Sequence, residues 1–155
     1  MNNADLIHQF YEAFARRDAA TMGACYHDEA RFNDPAFVNL DAAQVRAMWR
    51  MLCEGGKDLT IEHDNVQATE TEGRCHWEAR YTFSQTGRPV HNVIEARFTF
   101  KDGKILTHTD HFNFWRWSRQ ALGLPGLLLG WTPFLQKKVQ ATVAGRLAKY
   151  MGKQA

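Results

Sequence analysis

No apolar run in this chain is long enough to cross a bilayer; the strongest, Leu122 to Leu135, is short and interrupted by proline and glycine. The opening MNNADLIHQFYEAF carries Asp5 and lacks a basic start followed by an apolar stretch, so no secretory leader is read there. Cysteine is scarce. Cys25, Cys53 and Cys75 lie far apart, form no C-x-x-C pair, and give no sign of a disulfide framework or a zinc knuckle. Half-buried thiols in a reducing cytoplasm are the expectation. An excess of one charge is also missing: the net charge is +2, and Lys and Arg are dispersed outside the C-terminal segment. Nucleic acid is therefore not an expected partner. The seven histidines show no H-x-x-x-H or H-E-x-x-H spacing, so no metal site is expected.

What the chain does have is aromatic surface to bury. Ten Phe and five Trp in 155 residues call for one sizeable core or a ligand-sized cavity. A helical stripe of Leu6, Phe10 and Phe14, flanked by Ile7 and Tyr11, begins near Asp5, with Asn2 or Asn3 as cap. A short second helix covers Ala20 to Tyr26, and a brief strand, Ala30 to Asn33, ends at Asp34-Pro35. Asp41 is placed to cap a third helix that stops at Gly55-Gly56.

From Leu59 the period changes to two. Strands are expected over Leu59–Ala68, Arg74–Ser84, Val90–Phe100 and Ile105–Trp115, with a hairpin turn centred on Asp102-Gly103. Three helices followed by a strand meander predict an α+β domain. Its helices pack on a strongly curved, mainly antiparallel sheet of four to six strands, a cone open at one end.

Three stretches, LIHQFYEAFARRDAATMGACYHDEARFNDP, VIEARFTFKDGKI and HTDHFNF, carry a resemblance. They are similar to ketosteroid isomerases, SnoaL-like polyketide cyclases and limonene epoxide hydrolases of the nuclear transport factor 2-like superfamily. The resemblance implies the same cone and a domain over residues 1–118. Residues 119–155 would then be an apolar segment and an amphipathic helix packed on it or on a dimer partner.

Residue by residue, the resemblance puts Asp34 where the isomerases hold their proton-shuttling base and Glu95 where they hold a protonated carboxylic acid. Their helix tyrosine is replaced by Phe10, and of two supporting tyrosines Tyr26 is retained while Trp49 stands for the other. Losing one such oxyanion donor commonly removes about 3 kcal/mol, so steroid isomerase activity is not implied. Asp110 matches one aspartate of the epoxide hydrolases, but Trp77 and Ala79 stand where their Arg-x-Asp pair belongs. In the polyketide cyclases the acid/base aspartate corresponds to a place near Phe114 or Trp115. Each known catalytic set is incomplete.

Alternation on the last expected strand puts His108, Asp110, Phe112 and Phe114 on the inner face. On the neighbouring strand His91, Val93, Glu95 and Arg97 share a face, and the resemblance favours that face for the pocket. The candidate catalytic residues are therefore Asp34, Glu95 and Asp110, with Phe10, Phe14, Tyr26, Trp49, Tyr81, His108 and Phe112 as candidate binding residues. The bland alternatives are a turn-forming role for Asp34 and a structural anchor for Asp110 or His108.

The expected function is a cofactor-free isomerase, cyclase or lyase for a small hydrophobic carbonyl compound. The alternatives are a non-catalytic binder of such a molecule and a dimeric interaction module using His76, Glu78 and Arg80 on the outer face. A homodimer is expected. The stripe Leu135, Val139, Val143, Leu147 is expected to pack on the domain or a dimer partner and to shield Trp131; a membrane-surface helix is the less favoured alternative.

Overall fold

The computed structural model describes residues 1–154. Helix α1, Asn3–Ala15, is closed by a capping box in which Asn2 and Asp5 exchange side-chain and backbone bonds. Its Leu6, Ile7, Phe10, Tyr11 and Phe14 are all buried. Asp18 caps the short α2, Ala19–Ala24. Strand β1, Tyr26–Asn33, starts earlier than the sequence pattern indicates. Helix α3, Ala42–Gly55, starts with an Asp41–Gln44 capping box.

The sheet continues with β2, Thr60–Ala68; β3, Glu72–Phe83; β4, Arg88–Lys101; and β5, Lys104–His111. Its order is β1-β5-β4-β3-β2. Among the described strands only the β1–β5 pairing is parallel: α3 separates β1 from the rest of the sheet, whereas β2 to β5 follow one another as antiparallel hairpins. Asp102 and Gly103 turn β4 into β5 with φ of 54° and 73°, the two left-handed residues that a tight hairpin turn requires. Register shifts interrupt three of the pairings, and such bulges bend strands, so the sheet curls around α1 and α3. Gly73 permits that closure: a Cβ there would lie 2.9 Å from Ile7 Cδ1 and from the Phe100 ring.

The expected α+β cone is therefore present, with two corrections to strand phase and length. On β4 the buried residues are Val90, Ile94, Ala96, Phe98 and Phe100, so the face of His91, Glu95 and Arg97 points outward. The apolar alternation of that strand outweighs the placement of Glu95 by resemblance. Strand β5 stops at His111, because the Asn113 side chain caps a new helix, α4, Phe114–Leu122. Phe114 accordingly packs with Val90, Trp117 and Ala121 in a second small core rather than extending the sheet.

The C-terminal extension is helical throughout most of its length. Helix α5, Leu124–Leu129, is followed by α6, Pro133–Gln154. Leu135 and Leu147 of α6 are buried, Gln136 and Gln140 donate to the Pro35 carbonyl, and the Tyr150 hydroxyl reaches Glu54. The stripe packs on the domain, yet Trp131 is not shielded and stays 73% exposed. Among the described residues no helix is long and apolar enough to cross a membrane.

Candidate functional site

Inside the cone lies a cavity of about 740 Å³. Asp34, Asp110, Phe14, Trp49, Tyr81 and Phe112 all line it. Of the other expected site residues, Phe10, Tyr26 and His108 are fully enclosed behind the wall and do not line the cavity. Glu95 is on the convex side, bonded to His76, which also pairs with Glu78 at 3.0 Å. Placing Glu95 in the pocket is thus overturned by the alternation of β4.

Behind the wall, side chains from four elements form one directional chain. Trp49 Nε1 of α3 donates to the Tyr26 hydroxyl of β1 at 2.9 Å. With its oxygen accepting there, the Tyr26 hydroxyl donates to His108 Nδ1 at 2.7 Å. His108 Nε2–H then donates to Asp110 Oδ1 at 2.9 Å, and that oxygen also accepts from Trp77 Nε1 of β3 at 3.2 Å. Burial holds the Tyr26 phenol well above its usual range, so it keeps the proton this order needs. Phe10, Phe32 and Phe98 stand against the His108 ring, leaving the imidazole one orientation. Asp110 Oδ1 is consequently saturated, while its second oxygen makes no hydrogen bond among the described residues and Asp110 faces the cavity.

Asp34 is held differently. It sits where β1 ends, and its Oδ1 accepts from the backbone N–H groups of Ala36 and Phe37 at 2.7 and 2.6 Å. The residue is half-buried and lines the cavity. Desolvation pushes its carboxyl up to about 7, opposed by the two backbone donors and reinforced by the charge of Asp110.

Two further polar groups lie on the wall: Tyr81, expected as a binding residue, and Asn92, which was not among the expected site residues. The Tyr81 hydroxyl accepts from Trp117 Nε1 at 2.8 Å, and its own proton has no acceptor among the described residues. Burial, and then the nearby Asp34 charge, raise that phenol too. The Asn92 carboxamide also lines the cavity, on the face of β4 opposite to the one expected. The alternation of Val90, Ile94 and Ala96 was the signal that could have revealed Asn92. The donation by Trp117 comes from α4 and has no local signature. Among the described residues no cluster of His, Cys, Asp or Glu could hold a metal ion.

A SnoaL-like domain family matches residues 7–108. The chain belongs to that family. No curated protein matches this SnoaL-like chain in sequence. Its cone occurs in solved nuclear transport factor 2-like structures. One similar structure is IdmH from Streptomyces antibioticus, a proposed polyketide cyclase: TM-score 0.63 and 22% identity, over 77% of this chain and 97% of that one. Another is an LEH-like epoxide hydrolase from M. tuberculosis, with TM-score 0.62 and 17% identity over 81% and 93%. A third is a protein of ketosteroid isomerase-like fold from Catenulispora acidiphila in complex with trimethylamine, with TM-score 0.66 and 11% identity over 83% and 97%. At these identities the likeness establishes the fold of the SnoaL-like chain, not its chemistry.

Proposed function

We propose that this SnoaL-like domain is a cofactor-free acid/base enzyme, an isomerase, cyclase or lyase, acting on a small hydrophobic carbonyl compound. The observation that carries the reading is that Asp34 and the Tyr81 hydroxyl, whose proton has no acceptor among the described residues, line the same mostly apolar cavity. A carboxyl poised near neutrality is suited to take and return a proton at working pH. The Asp34 carboxylate would remove a proton next to the substrate carbonyl. The electron pair of that C–H bond would move to the carbonyl oxygen, which the Tyr81 hydroxyl would stabilise. Trp117, by donating to the phenolic oxygen, strengthens Tyr81 as a donor. Return of the proton to another carbon gives isomerisation; attack of the enolate on a second carbonyl gives cyclisation. In this scheme Tyr81 replaces the expected Glu95, and Asp110, fixed by His108 and Trp77, keeps a second acceptor at the same cavity.

Deuterium incorporation next to the carbonyl of a panel of apolar ketones in heavy water, followed by NMR, tests this. Exchange above the buffer rate is expected, falling by about 10²-fold or more in Asp34→Asn and Tyr81→Phe. Exchange that is unchanged in both variants would refute the assignment. A second reading, a non-catalytic binder, is favoured by the two backbone bonds that make Asp34 a turn-former. It expects apolar ketones to raise the melting temperature with no exchange at all.

A further inference from the structure

The corner between α5 and α6 presents apolar surface that the fold leaves open. Leu124, Trp131 and Phe134 are 65%, 73% and 68% exposed, and Leu127, Leu128 and Leu129 are exposed beside them. This is more than singly scattered apolar residues, the ordinary condition of a protein surface.

The corner is built to hold these side chains outward. Gly126 and Gly130 bring α5 so close to α4 that a Cβ would lie 2.0 Å from the Ser118 carbonyl oxygen and 1.9 Å from Ser118 Oγ, respectively. Trp115 Nε1 donates to the Leu127 carbonyl and Trp131 Nε1 to the Leu128 carbonyl, both at 3.0 Å. The backbone polar groups of the corner are thereby used internally while the leucines face out.

Charge identifies what would cover it. All 17 Asp and Glu of the chain lie before residue 111, and residues 111–155 carry seven Lys and Arg and no acid. The extension is therefore +7 on a chain whose remainder is −5. Lys137 and Lys138 follow Phe134 by three and four residues, which sets them on its face of α6, and both are exposed. A second copy joined symmetrically through this corner would bring two strongly basic surfaces together, whereas an anionic lipid surface complements both the charge and the apolar relief. Trp and Leu flanked by Lys is the composition of elements that lie in a membrane interface.

We propose that the α5–α6 corner docks on the surface of an anionic lipid bilayer. Trp131, Phe134 and the α5 leucines enter the headgroup region, and Lys137 and Lys138 contact lipid phosphates. The same helices supply Pro125, Leu135 and Val139 to the cavity wall. Docking therefore sets the cavity beside a lipid phase that holds apolar molecules, whatever chemistry the cavity performs.

Flotation of the full chain with phosphatidylcholine vesicles, with and without about 30% phosphatidylglycerol, tests the proposal. Binding to the anionic vesicles is expected, with a blue shift of tryptophan emission and release at about 0.5 M salt. The double variant Trp131→Ala/Phe134→Ala should partition at least about tenfold less, and Lys137→Glu at least about fivefold less. Both should melt close to the wild-type temperature, because Trp131, Phe134 and Lys137 are mostly exposed and the one bond lost, from Trp131 Nε1 to the Leu128 carbonyl, lies at the surface. Failure to float, equal binding to neutral vesicles, or unchanged binding by the double variant would overturn the proposal. So would a wild-type dimer that ignores vesicles and becomes monomeric in the double variant, since a second copy would then be the occupant.

Discussion

His108 Nε2 lies 2.9 Å from Asp110 Oδ1, and neither side chain reaches bulk solvent. The pair closes a chain of donors that ends on a cavity-facing carboxyl group. Replacing Asp110 with Ala orphans the Trp77 and His108 N–H donors together, and should cost about 2–5 kcal/mol. Asp110→Asn keeps an acceptor oxygen for both and should cost about 1 kcal/mol. Urea unfolding of the two variants measures the difference.

Asp34 makes stability depend on pH in a sense opposite to most carboxylates. Its folded value, about 7, is raised above the ordinary 3.8, so the folded state binds its proton more tightly than the unfolded chain. That contribution is full below about pH 4 and is lost as pH rises through about 7. Asp34→Asn retains the oxygen that accepts from Ala36 and Phe37 and removes the ionisation. The variant should be more stable than the parent at pH 8, by no more than about 4 kcal/mol, with the gain vanishing near pH 4. Denaturant midpoints across that range read it; a gain that grows towards acid would contradict the burial of Asp34.

The Tyr11 hydroxyl is buried without a hydrogen-bond partner among the described residues. Burying it unpaired costs free energy, so Tyr11→Phe should be neutral or stabilising by about 1 kcal/mol or more. Thermal melting of the variant decides it. A loss of stability would show that an ordered water or a ligand atom satisfies this hydroxyl in solution.

Gly126→Ala would set a methyl group 2.0 Å from the Ser118 carbonyl oxygen, which belongs to backbone and cannot swing aside. Helix α5 must then separate from α4, at a cost of about 1–3 kcal/mol or more. Amide exchange should rise over Leu124–Leu129 and remain unchanged in β3 and β4.

Glu95 belongs to an outer-face network with His76, Glu78 and His91. Glu95 is the leading cause of the raised pKa of His76, so Glu95→Ala should lower the His76 titration midpoint seen by NMR. Stability should change by less than about 1 kcal/mol, as for exposed pairs, and ligand binding in the cavity should be unaffected.

Much of this protein is legible in its local chemistry. The capping residues Asn2 and Asp41, the Asp102-Gly103 turn and the switch from helical to alternating periodicity specify elements by contacts a few residues apart. The inward phase of His108 and Asp110 follows from the same alternation. Glu95 shows where such reading fails: a resemblance placed it inside, while Ile94, Ala96 and Phe98, competing for the same interior, turned it out. The end of β5 was decided by Asn113, whose cap on α4 competes with continuation of the strand. Only the tertiary structure could join Trp49, Tyr26, His108, Asp110 and Trp77, because each bond in that chain depends on how tightly the sheet curls. The environment of Asp34 was likewise undetermined by its neighbours in sequence: the cavity that desolvates it is walled by residues from nearly the whole chain. Sequence fixes what each residue can do locally, whereas burial and distance, which set proton affinity and pairing, exist only once the chain has closed on itself.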